Sequence, residues 1–310
     1  MLNEIASIII LSYNKFEYIY SALDSVFMQT YKRIEILVSD DGSISFPKKE
    51  IEDYILKKKR SNIISFQVYS NDQNVGTVRN YNNAILRSGG DYIIVLSCDD
   101  CFFDEYVVEK VVERLSQSKN GIITCRRLLC DSNLKPIRFM PTNAQIRKIK
   151  KMDSAYKQHV AFVNGQFYDL ASGSCTYYTK NRLVQDGLFD ENYRLLEDWS
   201  HFIEITREIE IETAYDIIST KYRSGGVSSS IPKALLDDYI KMMKKEASNH
   251  YQEYSRFQRR YLNFNIARFE KNKYLSYLKY PDVFFVKLAY TIKKKRYARQ
   301  GIREYEKLER

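Results

Sequence analysis

Four short apolar runs, each ending in small polar and acidic residues, constrain the fold of this 310-residue chain more than any other feature. The first, Ala6–Leu11, ends at Ser12-Tyr13-Asn14, and the second, Ile34–Val38, at Ser39-Asp40-Asp41-Gly42-Ser43. Ile63–Val68 ends at Tyr69-Ser70-Asn71-Asp72, and Tyr92–Val95 runs through Leu96 into Ser97-Cys98-Asp99-Asp100-Cys101. The first, short, apolar and β-branched, suits a strand buried on both faces. Helical segments separate them: one capped by Asn14 and passing through Ala22, Leu23, Val26 and Phe27, a Lys-rich one from Pro47 to Arg60, and one from Arg79 to Leu86 closed by Gly89-Gly90. Strand and helix alternating at this spacing predict an α/β fold with a mostly parallel, doubly wound sheet. Right-handed crossovers then place all four strand ends on one edge, where open α/β sheets bind ligands. Asp-Asp-Gly-Ser or Asn-Val-Gly-Thr alone is a good turn. Four such clusters at successive strand ends describe one pocket.

The fourth end carries the sharpest chemistry. Unpaired carboxylates are costly to bury, so Asp99 and Asp100 should face a cation, a ligand or water. Beyond them the pattern loosens. Glu105–Leu115 reads as an amphipathic helix, Gly121–Leu129 as a strand, and the basic stretch Asn143–Met152 as a surface loop or lid. Ser172-Gly173-Ser174 is a small-residue turn. Glu197-Asp198-Trp199 has a bland reading as a helix start with acidic residues near its positive end. Tyr222–Ser230 is a segment rich in small donors.

Charge is unevenly placed. From Ile231 to Arg310 there are 20 Lys and Arg against 9 Asp and Glu, a net of +11, whereas the preceding residues hold 29 against 30. A near-neutral body of residues 1–230 with a basic, Tyr-rich helical extension of residues 231–310 follows, and a uniformly basic nucleic-acid binder does not. In that extension Tyr251, Tyr254, Phe257, Tyr261 and Phe264 fall on one helix face. Five cysteines form no regular framework, and Met1-Leu2-Asn3-Glu4 lacks the basic start of a secretory leader, which predicts a reduced, cytoplasmic setting.

Taken in order, these motifs resemble the family-2 glycosyltransferases of the GT-A type, the bacterial nucleotide-sugar-dependent kind with a Rossmann-like sheet. The resemblance spans about Ile5 to Ser230 and rests on Ser12-Tyr13-Asn14, Asp40-Asp41-Gly42-Ser43, Asn74-Val75-Gly76 leading to Arg79-Asn80, Asp99-Asp100, Glu197-Asp198 and Tyr222-Arg223-Ser224-Gly225-Gly226. It implies a metal-dependent, inverting transfer of a sugar from a nucleotide-diphosphate donor, UDP-linked by preference, to a hydroxyl of a glycan, lipid-linked or glycoprotein acceptor. Asp99, with Asp100, would hold Mn²⁺ or Mg²⁺. Ser12, Tyr13, Asn14, Asp40, Asp41, Asn74, Gly76, Arg79, Ser97, Asp100, Tyr222 and Arg223 would line the donor, with Tyr13 against the base and Asp40 or Asp41 accepting from its imide N–H. Asp198 would be the general base and Glu197 a positioning or acceptor-binding group. The family's usual Asp-x-Asp-Asp is here Ser97-Cys98-Asp99-Asp100, so the first carboxylate is a hydroxyl.

Two other classes stay open: a nucleotide-sugar-binding protein that lost turnover with that carboxylate, and a nucleotidyltransferase, which would need a Gly-rich phosphate loop absent behind the first strand. Cys98 and Cys101 have CxxC spacing without a second pair to complete a zinc site. His201, three residues past Asp198, reads as a helix-surface histidine or as one reaching the metal or phosphate. For the basic extension, packing on the body or on another protomer competes with contact to an anionic inner membrane face. Nucleic-acid binding ranks last, since no recognisable module accompanies the charge.

Overall fold

A computed structural model of the chain describes residues 4–165, 169–225, 232–270 and 273–307. Strands β1 (Ala6–Ser12), β2 (Ile34–Asp40), β3 (Ile63–Ser70) and β4 (Tyr92–Ser97) are mutually parallel in the order β3-β2-β1-β4. Helices α1 (Ile19–Phe27), α2 (Lys48–Lys58) and α3 (Thr77–Arg87) connect them. Register aligns their carboxyl ends: Ser12 lies beside Asp40, Asp40 beside Ser70, and Leu11 beside Ser97. The edge read from the sequence is there.

After Asp100 the sheet changes direction. The remaining strands are β5 (Cys101–Phe102), β6 (Ile122–Cys130), β7 (Pro136–Met140), β8 (Thr176–Thr179) and β9 (Glu212–Arg223). β8 joins β4 and β6 antiparallel, β9 runs parallel to β6, and the full order is β3-β2-β1-β4-β8-β6-β9-β5, with β7 on β6. The helices of this half are α4 (Val107–Ser116), α5 (Asn143–Ile149), α6 (Ala155–Val163), α7 (Lys180–Gln185) and α8 (Glu197–Ile205). The last four are α9 (Lys233–Asn249), α10 (Arg256–Glu270), α11 (Lys273–Lys279) and α12 (Pro281–Glu306).

Both faces are covered at the centre of the sheet, where β1, β2 and β4 are buried along nearly their whole length, whereas the edge strand β3 leaves Ile64, Ser65 and Gln67 exposed. Ile8, Ile10, Ile36 and Leu96 pack with Leu23 of α1, Ile51 of α2 and Val111 of α4. The intervening Ile9, Leu37, Ile93 and Val95 pack the other way, against Tyr81 of α3, Phe162 of α6 and Phe202 of α8. Met242 and Met243 of α9 and Leu262 of α10 belong to that same second cluster. The Tyr/Phe stripe of the extension is largely buried within the chain: Tyr254 joins the second core, while Tyr261 and Phe264 form a small core with Tyr280 and Val283. Helix α12 then returns along β7, where the Arg126 guanidinium donates to Glu304 at 2.6 Å and Glu304 accepts the Asn143 N–H.

Three expectations change. Asn14 is not a helix cap: its φ is +53° and α1 begins at Ile19, after a 3₁₀ turn over Phe16–Tyr18. Asn143–Met152 is no loop, because Thr142 and Gln145 form a reciprocal capping box that starts α5. His201 is no surface residue. It is 6% exposed, packs edge-on against Tyr178 and Phe189, and burial followed by the nearby Arg182 charge pulls its pKa down to about 3.

Candidate active site

The site starts from two buried aspartates that tie three strand ends together. Asp40 accepts from the Ser43 N–H at 2.8 Å, the Ser43 hydroxyl at 2.6 Å and the Ser70 hydroxyl at 2.7 Å. Ser43 Oγ accepts the Asn14 N–H at 2.7 Å, so β1, β2 and β3 are joined at one corner. Asp41 accepts from the Asn71 and Asn74 side-chain amides and from the N–H groups of Val75 and Gly76 at 2.8 and 2.9 Å. A buried carboxylate needs such donors to remain tolerable. Asp40 and Asp41 therefore shape the pocket wall, and most of their hydrogen-bonding capacity is already used.

Gly76 shows how tight this corner is. Its φ is +94°, and a Cβ there would lie 2.6 Å from the Arg194 carbonyl oxygen. Gly76→Ala should cost about 2 kcal/mol or more from backbone strain. Thermal unfolding should show this as a Tm fall of about 4 °C or more; an unchanged Tm would refute the constraint.

At the end of β4, Ser97 donates its hydroxyl to Asp99 Oδ1 at 2.6 Å. The hydroxyl that replaces the family's first carboxylate thus buttresses the half-buried Asp99. Asp100 turns inward and is 1% exposed; its Oδ1 accepts the Arg223 N–H at 2.7 Å, while Oδ2 is buried without a hydrogen-bond partner among the described residues. Burial and then the Asp99 charge hold the Asp100 carboxyl well above the usual carboxylate range. Arg223 is buried as well. It donates to the carbonyls of Asp99, at 2.7 Å, and Ser132, and its guanidinium lies 3.9 Å from the Tyr18 ring centre. That makes Arg223 a brace for the acidic turn, where the sequence suggested a donor contact.

The acidic pair opens α8. Asp198 Oδ2 accepts the Gly173 N–H at 2.9 Å and Oδ1 the Trp199 N–H at 2.6 Å, which fixes the carboxylate against the Ser172-Gly173-Ser174 turn. Burial and then the adjacent Asp198 charge push the Glu197 pKa up to about 8, against a smaller lowering by its own backbone N–H. Arg127 donates to Ser172 and, at 2.7 Å, to Ser174, and lies 4.7 Å from the Tyr222 ring centre. Its charge also acts on Asp100. Sequence reasoning misses Arg127; the signal it offers is a pair of cations, Arg126 and Arg127, within the otherwise apolar run Ile122–Leu129.

The structure therefore gathers Ser12, Asn14, Asp40, Asp41, Asn74 and Gly76 at one corner, and Ser97, Asp99, Asp100, Tyr222 and Arg223 at the β4–β9 end. Tyr13 is 47% exposed. Arg79 reaches outward to Glu191 at 2.9 Å in an exposed ion pair. Residues 226–230 of the late small-residue segment lie outside the described residues. For Mn²⁺ or Mg²⁺, the available donors are the carboxylates of Asp99 and Asp100, the latter with its orphaned oxygen. No group of three or more His, Cys, Asp or Glu gathers at a metal position among the described residues. Donors so few and so hard fit ions that complete their shells with phosphate oxygens and water.

Comparison with known proteins bears on the chemistry of this edge. Residues 7–171 match the family model described as glycosyl transferase family 2. The chain is 25% identical over 252 residues to a glycosyltransferase of Haemophilus influenzae, covering 80% of this chain and 74% of that one. Its fold matches TarS of S. aureus in complex with UDP-GlcNAc, at TM-score 0.54 and 14% identity over 85% of this chain and 71% of that one. A mannosyltransferase of Pyrobaculum calidifontis in complex with GDP-Man and Mn²⁺ aligns at TM-score 0.56 and 12% identity, over 92% and 75%.

Proposed function

Because the chain belongs to glycosyl transferase family 2 and has the GT-A fold, we propose that it is an inverting, metal-dependent transferase of a sugar from a nucleoside diphosphate, UDP by preference, to an acceptor hydroxyl. The observation that supports this reading is Arg127, which donates to the Ser172–Ser174 turn that holds Asp198 and whose charge also acts on Asp100. In this reading residues 1–230 hold the donor and perform the transfer, and residues 231–310 are a helical extension. The neighbours' UDP-GlcNAc and GDP-Man support a nucleotide-sugar donor, and Mn²⁺ in one of them supports a divalent ion.

The reaction needs three things from the chain. Asp99, assisted by Asp100, would hold Mn²⁺ or Mg²⁺, which when bound offsets the charge of the departing diphosphate. Ser97 keeps Asp99 oriented, and Arg223 holds the turn that carries both aspartates. Asp198, fixed by two backbone N–H groups, takes the proton of the acceptor hydroxyl as its oxygen attacks the anomeric carbon. The bond from that carbon to the diphosphate oxygen breaks on the opposite face, so a single displacement inverts the configuration. Glu197, neutral below pH about 8, positions the acceptor as a hydrogen-bond donor.

Incubation with UDP-, GDP- and dTDP-sugars and Mn²⁺ should raise the Tm with one nucleotide class and release that nucleotide when a glycan acceptor is added; EDTA should abolish both effects. Stabilisation by none of the donors would overturn the proposal. Binding without release would favour a nucleotide-sugar-binding protein, for which Ser97 in place of a carboxylate is the specific motive.

A further inference from the structure

Helix α12 has two faces of opposite character. Val283, Tyr297 and Gly301 are buried against the chain, and a Cβ on Gly301 would lie 2.8 Å from the Phe139 carbonyl oxygen. On the outer side, Phe285, Leu288, Ile292, Lys295, Arg299 and Ile302 recur at spacings of three and four, a single helical face. Phe285 is 64% exposed and Ile292 63%, and Leu288, Lys295, Arg299 and Ile302 are exposed too. From Val283 to Arg303 the chain carries seven Lys and Arg and no Asp or Glu. Among the described residues neither Lys295 nor Arg299 has a carboxylate in ion-pair range.

We propose that this outer face of α12 docks the protein on an anionic lipid surface, with Phe285, Leu288 and Ile292 entering the headgroup boundary and Lys295 and Arg299 meeting lipid phosphates. Binding of a helix to a bilayer interface grows with the apolar area it buries and with the attraction of its cations to anionic lipid, and this side of α12 offers both, Phe285, Leu288 and Ile292 toward one end and Lys295 and Arg299 toward the other. Anionic headgroups supply the charge that the surrounding chain lacks. A second copy of the face would bring more cations and, between Val283 and Arg303, no carboxylate to meet them, so self-association leaves the charge uncompensated. A nucleic acid would satisfy the cations and leave the aliphatic residues in water. No helix of the described residues is long and apolar enough to cross a membrane, so the contact is with the surface. This inference does not depend on the chemistry proposed for the sheet edge.

The test is co-sedimentation of the full chain with vesicles of phosphatidylcholine alone or mixed with phosphatidylglycerol. The protein should bind the mixed vesicles more than about tenfold more tightly than the neutral ones. Reversing Lys295 and Arg299 to Glu should remove that preference. Changing Phe285, Leu288 and Ile292 together to Ser should weaken binding by about tenfold or more, with an unchanged Tm showing that the fold is intact. Equal binding by wild type and both variants would overturn the proposal, as would no vesicle binding. So would a wild-type dimer that becomes monomeric in the Ser variant, or tighter binding to a DNA duplex than to the mixed vesicles.

Discussion

Asp198→Asn should lower transfer by about 10²–10⁴-fold while leaving donor binding in place, because a general base contributes on that scale and an amide accepts no proton. The same change at Glu197 should behave differently. Glu197 carries its proton below pH about 8, so Gln replaces a neutral acid by a neutral amide. At pH 7 Glu197→Gln should stay within about threefold of wild type in kcat. Steady-state kinetics with donor affinity measured separately distinguish the two roles. Retained transfer in Asp198→Asn with collapse in Glu197→Gln would exchange them.

Stability gives an independent reading of Glu197. Its pKa is raised from 4.5 to about 8, so the folded chain keeps a proton that the unfolded chain releases from pH about 4.5 upward. Support from this group is complete below pH about 4.5 and is lost as pH rises through about 8. Glu197→Gln lacks that loss, so its Tm advantage over wild type should open between pH 5 and pH 9, with the donor absent. A constant difference would show that Glu197 is not held protonated.

The second large effect is expected at Asp99. Asp99→Asn should lower kcat/KM by about 10²–10³-fold, the scale for removing an electrostatic support of the departing group. It should also abolish the extra Tm gained when Mn²⁺ accompanies the donor, a reading that needs no turnover. Ser97→Ala should cost less, about fivefold, since it removes one hydrogen bond to Asp99 and leaves the carboxylate. A full Mn²⁺ response in Asp99→Asn would reject Asp99 as the ligand.

Much of this edge was legible because its residues are local to strand ends. Ala6–Leu11 and Tyr92–Val95 are apolar throughout, so they had to be buried on both faces, and the Ser and Asp residues following them had to emerge together. Short-range chemistry is also readable in principle: the capping box at Thr142 and Gln145 lies in adjacent sequence, within a basic stretch whose polarity alone suggests a loop. The rest depended on pairings across long separations. Arg223 reaches Asp99, Asp100 and Ser132, and Arg127 reaches Ser172, Ser174 and Tyr222, through neighbours that β6 and β9 assemble only in the folded sheet. His201 reads from sequence as a helix-surface histidine or one reaching the metal or phosphate, since nothing nearby in sequence announces that Tyr178 and Phe189 enclose it.

What the sequence determined by itself is the sheet and its working edge: the composition of β1, β2 and β4 obliges burial, and the polar residues that follow each strand then emerge on one edge. Tertiary structure alone decided how the carboxylates are used. Asp40, Asp41 and Asp100 point into hydrogen-bonding partners or protein, Asp99 stays half-buried beside Ser97, and Asp198 is pinned while burial and the Asp198 charge raise the pKa of Glu197. The reason is physical: a carboxylate's charge state and freedom are set by the donors and solvent around it in space, which sequence neighbours do not specify.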